Sequence, residues 1–421
     1  MNEAERELLE SLFRSAVDAV LPERCLTPYL PRAPVGRTVV VGAGKASAAM
    51  AQVVVDHYSD SVGGLVITRY GHGLGTSRIG HIDVVEAGHP IPDDAGNMAT
   101  SRVLDLVREC GPDDLILCLL SGGGSALLTM PAAGITLDDK QDVTRALIAS
   151  GATIDEINCV RKHLSAVKGG QLALAAHPAQ VITLAISDVA GDDPSVIASG
   201  PTTADPTTFA DARAILNKFD ITPPSLISRH LDAALNETPT EEDPRLKNAS
   251  LYIVASAKQA LAAAAQLASE RGFESVVLGD EIQGEAREVA RAHAALARDY
   301  KARGKATALL SGGETTVTIQ GSGGGGPNTE YMLALAIELA GEEGICGIAC
   351  DSDGIDGSED NAGAMIFPDT LARADALDLV PHVYLTNNDS YGFFTPLRDL
   401  VVPGPTLTNV NDLRAILIKP D

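Results

Sequence analysis

The sequence predicts an α/β fold. Short runs of β-branched and other apolar residues recur along the chain, each ending in Gly or Ser and followed by a stretch that reads as helix; three of them begin at Thr38, Leu115 and Val181. Such alternation is typical of α/β domains with largely parallel sheets. Ligands of these sheets bind beyond the carboxyl ends of the strands, so we expect the chemistry in the Gly, Ser and Asp clusters that follow the runs.

The length and one connector predict two domains, 1–245 and 246–421. Residues 236–248 (NETPTEEDPRLKN) contain two prolines, many acidic residues and no apolar periodicity, which is typical of a linker. Beyond the linker, 251–272 and 284–304 both show helical periods.

The composition restricts the class of partner. The chain has 421 residues, 45% of them hydrophobic, and 56 acidic against 32 basic side chains give a formal charge of -24. An excess of this size argues against nucleic-acid or anionic-membrane surfaces. The amphipathic N-terminus resembles no signal segment, and no apolar run reaches about 18 residues, so a cytoplasmic location is expected. The six scattered cysteines are expected to be reduced core residues. The predicted partner is a small molecule, and the protein is expected to be a monomer or a homodimer.

The first candidate motif is VVVGAGKASAAMA, with Gly42, Gly44 and Lys45 at a strand-to-helix turn. Ser47 stands where a dinucleotide fingerprint has its third glycine, and the spacing is not that of a Walker loop. A lysine in the first turn of a helix is favourable only beside an anion, because the helix dipole is positive there. Lys45 is therefore a candidate anion ligand, with a solvent-facing lysine as the alternative.

The second motif, SGGGSALL, follows another strand-like run. Its hydroxyls and exposed backbone N–H groups could form a nest for a carboxylate or phosphate. The motif is not a nucleophile elbow, since no glycine stands at the required place after Ser125. A simple tight turn is the alternative. The candidate ligand residues are Ser121, Gly123, Gly124 and Ser125.

The third motif, INCVRKHLSAVKGGQLA, predicts one amphipathic helix. Its apolar face consists of Ile157, Val160, Leu164 and Val167, and its polar face of Asn158, Arg161, Ser165 and Lys168. Two cations on one face of so acidic a chain suggest an anion-recognition surface. A solvated face is the other interpretation.

Two acidic clusters could hold Mg²⁺. Asp188 follows the apolar run VITLAI, and Asp192 lies on the next turn; Asp351 opens DSDGIDGSED. Mg²⁺ is bound through one or two carboxylates with waters and phosphates. DSDGIDGSED is not a calcium loop, because Ala362 stands at its twelfth position. Turn-forming aspartates are the alternative in both clusters.

Five such clusters without a cofactor fingerprint favour phosphate-bearing ligands held mainly by backbone. This description suits phosphoryl transfer, which needs positioning and charge neutralisation more than a nucleophile.

On these residues the chain resembles the class II glycerate 2-kinases, also called the MOFRL family, some of whose members are named hydroxypyruvate reductases. The resemblance extends from about residue 5 to residue 418. The matching blocks are, in order, VGAGKAS, GHPIPD, LLSGGGSALL, NCVRKHLSAVKGGQLA, SDVAGDDPSVIASGPT, SGGETTV, NTEY, DSDGIDG with DNAGA, and TNNDSY.

The resemblance implies transfer of the ATP γ-phosphoryl group to the 2-hydroxyl of D-glycerate with Mg²⁺. It also implies a larger Rossmann-like N-terminal domain with a parallel sheet, a smaller α/β C-terminal domain and an active site in the cleft between them. Lys45 matches the family's active-site lysine and would neutralise charge on the transferring phosphoryl group.

Further roles follow from combining the resemblance with the motifs. Arg161 and the nest at Ser121 to Ser125 would bind the substrate carboxylate, supported by Asn158 and Lys168. Asp188 would accept the hydroxyl proton or hold Mg²⁺, with Asp192 as its rival and Asp351 as a further metal candidate. The residues expected near the nucleotide are Gly312, Gly313, Glu314, Gly325, Gly326, Asn328 and Glu330.

The chain departs from the family pattern at GGPNTE. Pro327 and Thr329 stand where the family commonly has arginine and glutamine. Proline supplies neither a guanidinium nor a backbone donor, although it starts a helix well. The missing charge must come from elsewhere, with Arg161, Lys162 and Lys168 as candidates, or the acceptor is a related 2-hydroxy acid. The alternative functions are an NAD(P)H-dependent hydroxypyruvate reductase and a non-catalytic sugar-acid-binding protein.

Overall fold

The computed structural model describes residues 3–420 and contains sixteen α-helices and fifteen β-strands within them. The helices are α1 (Glu3–Ala19), α2 (Pro22–Cys25), α3 (Ser47–Tyr58), α4 (Asp94–Arg108), α5 (Gly124–Leu127), α6 (Leu137–Ala149), α7 (Ile154–His163), α8 (Gln171–Ala176), α9 (Phe209–Lys218), α10 (Ser225–Ala233), α11 (Ala257–Glu270), α12 (Ala286–Ala302), α13 (Pro327–Leu339), α14 (Thr370–Asp375), α15 (Pro381–Thr386) and α16 (Ser390–Leu397). The strands are β1 (Thr38–Ala43), β2 (Val62–Arg69), β3 (Arg78–Ile79), β4 (His81–Ala87), β5 (Leu115–Leu120), β6 (Gln180–Ile186), β7 (Ala249–Ala255), β8 (Glu274–Gly279), β9 (Gly284–Glu285), β10 (Thr307–Gly313), β11 (Thr315–Thr316), β12 (Ile345–Asp351), β13 (Gly363–Ile366), β14 (Leu400–Val401) and β15 (Asp412–Ile418). None of the helices described is long and apolar enough to cross a membrane.

The chain divides into two compact units. The first, Leu26–Val254, is called here the N-terminal unit; the second combines Met1–Cys25 with Ala255–Asp421 and is called the C-terminal unit. The predicted boundary at residue 245 therefore needs two corrections. The strand β7 lies after the linker yet joins the sheet of the N-terminal unit beside β6, and α1 packs on α11 in the C-terminal unit.

The N-terminal unit contains the predicted parallel sheet. Its seven strands lie in the order β3-β4-β2-β1-β5-β6-β7, and the pairs β4-β2, β2-β1, β1-β5 and β5-β6 are parallel. The central strands β1 and β5 are buried along their whole length, as expected of strands with both faces covered. The chain adds β2 and β4 on one side of β1 and then continues with β5 and β6 on its other side, so the switch point at which ligands of such sheets bind lies between β1 and β5.

The larger sheet of the C-terminal unit is mostly antiparallel, and the expectation of a largely parallel sheet is wrong for this unit. This larger sheet has six strands in the order β14-β13-β12-β15-β10-β8, and within the described chain β10-β8 is the parallel pair of this sheet while its other neighbouring strands are antiparallel. The short strands β11 and β9 form a separate parallel pair. The last strand, β15, is inserted between β12 and β10 and is antiparallel to both. Fully apolar strand runs are consistent with either direction, because they report burial and not polarity of pairing.

Candidate active site

The first two sequence motifs meet at the carboxyl ends of β1 and β5. The backbone N–H of Lys45 donates to the carbonyl of Gly122 over 2.8 Å, and that of Ala46 donates to the Ser121 hydroxyl over 2.9 Å. Gly44 has φ of +144°, and a Cβ there would lie 2.1 Å from Ser121 Oγ. The glycine is therefore required for the two loops to approach each other, and Lys45 is fixed beside the predicted nest.

Ser125 is the point where the predicted cations converge. Its hydroxyl accepts from Arg161 Nη2 over 2.9 Å, and its carbonyl accepts from Lys168 Nζ over 2.7 Å. The same hydroxyl lies 2.6 Å from the hydroxyl of Ser199, which ends a short 3₁₀ turn after β6. The structure therefore brings together residues from three strand-end loops and from α7.

The single helix predicted over the third motif is wrong in its extent. The helix α7 ends at His163, and the chain turns there, with the Ser165 hydroxyl accepting from the backbone N–H of Lys168 over 3.3 Å. Arg161 and Lys168 nevertheless reach the same serine, because the turn and not a helical face aims Lys168 back at it. The predicted polar face is also not solvated, since Asn158 and Lys168 are both buried.

These cations line a cavity of about 410 Å³. Its lining residues are Pro90, Ile91, Pro92, Ser125, Thr129, Leu137, Lys140, Gln141, Thr144, Arg145, Ile148, Arg161 and Lys168. Lys140 is a site residue that the sequence analysis missed. Its surroundings, LDDKQD, read as the solvated part of an amphipathic helix, so no local signal distinguished it from a surface lysine.

The cavity contains three basic side chains whose pKa values are lowered, which favours the binding of an anion. Burial lowers the pKa of Arg161, and burial together with the charges of Arg161, Lys140 and Lys162 holds the pKa of Lys168 well below its usual value. Burial and then Arg161 lower the pKa of Lys140 to about 7. Within the described chain the cavity lining contains no aspartate or glutamate. A bound anion would offset these desolvated cations.

The predicted acidic residues of the N-terminal unit lie on the loop after β6. Asp188 and Asp192 are both half-buried there, whereas the exposed Asp193 caps its own turn by accepting from the N–H of Ser195 over 2.8 Å. Asp351 belongs to the C-terminal unit and accepts from the N–H of Asp353 over 2.8 Å. Between residues 3 and 420 no three His, Cys, Asp or Glu side chains form a group that could hold a metal. The donors present fit only the mode in which one or two carboxylates share Mg²⁺ with phosphate oxygens.

The glycines before α13 pack against other residues of the protein, whereas a close approach of the nucleotide was predicted. The helix begins at Pro327, as expected, but the preceding glycines approach the protein's own chain. A Cβ at Gly325 would lie 2.3 Å from Ser390 Oγ, and one at Gly326 would lie 2.3 Å from an Asp356 carboxylate oxygen. The close approach that these glycines permit is therefore internal packing.

The N-terminus of α13 already holds an anion of the chain. The Asp356 carboxylate accepts from the N–H groups of Asn328 and Thr329 over 2.9 and 2.8 Å. The Asn328 amide donates to Asp412 over 2.7 Å, and buried Glu330 accepts from Arg287 over 2.7 Å. These contacts argue against direct nucleotide contacts for Asn328 and Glu330, because both side chains already bind within the C-terminal unit.

The glycines at the end of β10 also allow a close approach of the protein's own backbone. Gly313 has φ of +110°, and a Cβ there would lie 2.3 Å from the backbone nitrogen of Ile282. Gly312 is buried beside it, while Glu314 is exposed. Of this predicted set, Glu314 is the side chain that a nucleotide could reach in the C-terminal unit as described.

We expect Asp356→Asn to lower the melting temperature, and to do so more at acidic pH. Burial raises the pKa of Asp356 to about 6. A carboxyl whose pKa is raised on folding stabilises the fold fully below its unfolded pKa and loses that contribution as the pH rises through about 6. Asparagine keeps only one acceptor oxygen, so the mutation also removes one of the two bonds from the backbone N–H groups of Asn328 and Thr329, at a cost of about 1 kcal/mol. The melting-temperature gap between wild type and variant should therefore be larger near pH 5 than near pH 8; an equal gap at both would contradict this assignment.

Two family models match the chain. Residues 8–232 match a domain of unknown function (DUF4147), and residues 307–412 match the MOFRL family. The D-glycerate 2-kinase of Thermotoga maritima is 39% identical over 98% of this chain and 98% of its own. A protein of Agrobacterium vitis named "Putative hydroxypyruvate reductase" is 49% identical over 98% of this chain and 94% of its own.

A solved structure has the same fold. The crystal structure of a glycerate kinase from Thermotoga maritima matches with a TM-score of 0.90 and 38% identity, covering 99% of this chain and 100% of that one. The resemblance predicted from the motifs is confirmed, and so is the α/β fold with a parallel N-terminal sheet. The chain belongs to the family that combines the DUF4147 and MOFRL regions, which includes the Thermotoga maritima D-glycerate 2-kinase.

Proposed function

We propose that the protein is an ATP-dependent kinase that phosphorylates the 2-hydroxyl of D-glycerate or of a closely related 2-hydroxy acid. This proposal rests on the cavity in which Arg161 and Lys168 both donate to Ser125 and whose described lining contains no aspartate or glutamate. Such a cavity suits a small carboxylate, and the full-length relatives named as glycerate 2-kinases support the same reaction.

We assign the binding of the acid to residues of the N-terminal unit. A guanidinium fits a carboxylate with two parallel hydrogen bonds, so Arg161 binds the substrate carboxylate next to the Ser125 hydroxyl. Lys45, fixed by its backbone bond to Gly122, neutralises charge on the transferring phosphoryl group. Asp188 accepts the proton of the 2-hydroxyl as the oxygen–phosphorus bond forms and the bond to the ADP oxygen breaks.

ATP and Mg²⁺ complete the proposed reaction. We assign the nucleotide to the C-terminal unit, with exposed Glu314 as a contact. The metal is assigned to Asp192 or, in place of its role as the base, to Asp188. When bound, Mg²⁺ supplies charge neutralisation on the phosphate oxygens.

The alternative function, hydroxypyruvate reductase, is favoured by the names of Agrobacterium vitis relatives. The loop after β1 is packed against the backbone and hydroxyl of Ser121, and Ser47 donates its hydroxyl to the carbonyls of Gly44 and Ile67 over 2.8 Å. That loop shows no third glycine through which a dinucleotide pyrophosphate would approach.

Two assays on one protein preparation separate these functions. We expect ADP release from Mg-ATP that depends on D-glycerate, and no change in NADH or NADPH absorbance with hydroxypyruvate. Acid-independent ADP release, or oxidation of NAD(P)H by hydroxypyruvate, would overturn the kinase proposal. Tight binding of D-glycerate without ADP release would favour a sugar-acid-binding protein.

A further inference from the structure

Lys140 is a buried lysine in the lining of the cavity. It lies on α6 with 5% of its surface exposed, and its ammonium has no hydrogen-bond partner in the described part of the chain. A lysine ammonium carries three donors, and an isolated buried charge is costly to the fold. The cavity lined by Lys140 is the one that also contains Arg161 and Lys168.

The basic side chains near Lys140 already have hydrogen-bond or ion-pair partners in the protein. Lys168 donates to the carbonyl of Ser125 and Arg161 donates to its hydroxyl, while Lys162 pairs with Asp205 over 3.3 Å. A carboxylate held by Arg161 in the two-bond manner uses both of its oxygens on that guanidinium. A second acidic group on the ligand would give the Lys140 ammonium acceptor oxygens of its own.

The size of the cavity agrees with a ligand that carries such a group. Its volume of about 410 Å³ exceeds what a three-carbon acid needs, since pockets for much larger ligands begin near 300 Å³. No carboxylate of the described lining would repel a second acidic group of the ligand, because the lining residues are apolar, neutral polar or cationic.

We infer that Lys140 determines acceptor specificity by binding a second acidic group, so that the cavity prefers 2-hydroxy dicarboxylates to 2-hydroxy monocarboxylates. The inference rests on the proposed function and narrows its acceptor class. Lys140 acts here as a binding residue for the ligand and takes no part in the phosphoryl transfer itself. Its lowered pKa of about 7 agrees with a cation whose counter-charge arrives with the ligand.

Calorimetric titration of the full-length protein near pH 7 tests this inference. The probes are D-glycerate, inorganic phosphate, malate and tartronate, the last of which has a carboxylate in place of the hydroxymethyl group of glycerate. We expect at least one dicarboxylate to bind wild type about tenfold more tightly than D-glycerate, the factor that one additional charge-assisted hydrogen bond supplies. Lys140→Met should remove that preference, because it should weaken dicarboxylate binding about tenfold more than D-glycerate binding.

A matched control removes an equal charge from the same cavity. Arg145 lies on α6 at the cavity mouth, but it is largely exposed and already paired with Asp142. Arg145→Met should change the affinity for every probe by less than about twofold. Lys140→Arg, which keeps the charge, should keep most of the dicarboxylate preference and serves if the methionine variant does not fold.

The outcomes separate the two proposals. Equal affinity of wild type for D-glycerate and both dicarboxylates, or a preference that survives in Lys140→Met, would overturn the inference and leave the proposed function intact. An equal loss for all acids in Lys140→Met would also overturn it, since Lys140 would then serve the shared carboxylate. Binding of phosphate without binding of any hydroxy acid would overturn the inference and the proposed function together.

Discussion

Asp188→Asn should lower kcat about 10²- to 10⁴-fold, which is the range for loss of a positioned general base. The residue stands just beyond the carboxyl end of β6, on the loop that leads to Ser199 and so to the Ser125 hydroxyl. Asparagine keeps the size of the side chain but cannot accept the hydroxyl proton. The measurement is steady-state ADP release at saturating acid and nucleotide.

A control on the same loop makes this result specific. Asp193 is exposed and caps a turn, which asparagine can also do, so Asp193→Asn should leave kcat within about twofold of wild type. Varying Mg²⁺ separates the two roles considered for Asp188. A base is lost at any Mg²⁺ concentration, whereas a metal ligand would be rescued by more Mg²⁺. Normal turnover in Asp188→Asn would remove the residue from the mechanism.

Arg161→Gln should reduce kcat/KM for D-glycerate about a hundredfold, chiefly through a higher KM. A buried charge-assisted hydrogen bond contributes about 1.5 to 3 kcal/mol, and its loss also leaves the bound carboxylate without a counter-charge. Because Arg161 binds the carboxylate in both the ground and transition states, kcat should fall less than kcat/KM. Initial rates over a range of D-glycerate concentrations measure both constants.

Arg145→Gln provides the comparison for this variant. It removes a guanidinium from the same cavity, but one that is exposed and bonded to Asp142, so kcat/KM should remain within about twofold of wild type. A similar loss in both variants would mean that the general positive potential of the cavity matters and not the fork at Arg161. An unchanged KM in Arg161→Gln would place the carboxylate elsewhere.

Much of the N-terminal site was predictable because it depends on local rules. Glycine, serine and lysine at strand ends signal backbone turns in an α/β domain, and the sheet order brings the turns after β1 and β5 together. Arg161 and Lys168 were correctly expected to meet, although the expected reason, a continuous helix, was wrong. Their convergence depends on the turn at Ser165, which helical periodicity does not reveal.

The errors arise where long-range packing decides. Lys140 sits among aspartates in the sequence, and its burial follows only from how α6 lies over the cavity. The glycines before α13 suggested an incoming ligand, yet Asp356 and Ser390 fill that space from distant parts of the chain. Likewise α1 joins the C-terminal unit by packing on α11, although residues 20–256 separate the two helices in the sequence. A glycine-rich segment in the sequence indicates that some group approaches the backbone closely. It does not indicate whether that group is a ligand or another part of the chain.

In the proposed reaction, a phosphoryl group is transferred from ATP to the 2-hydroxyl of D-glycerate. Phosphorus NMR of a completed reaction tests it most directly, because the coupling of the product phosphorus to the carbon-bound protons separates the 2-phosphate from the 3-phosphate. We expect a product phosphate coupled to the single proton on carbon 2, formed in step with ADP. A phosphate coupled to the two protons on carbon 3, or ADP formed with inorganic phosphate alone, would contradict it.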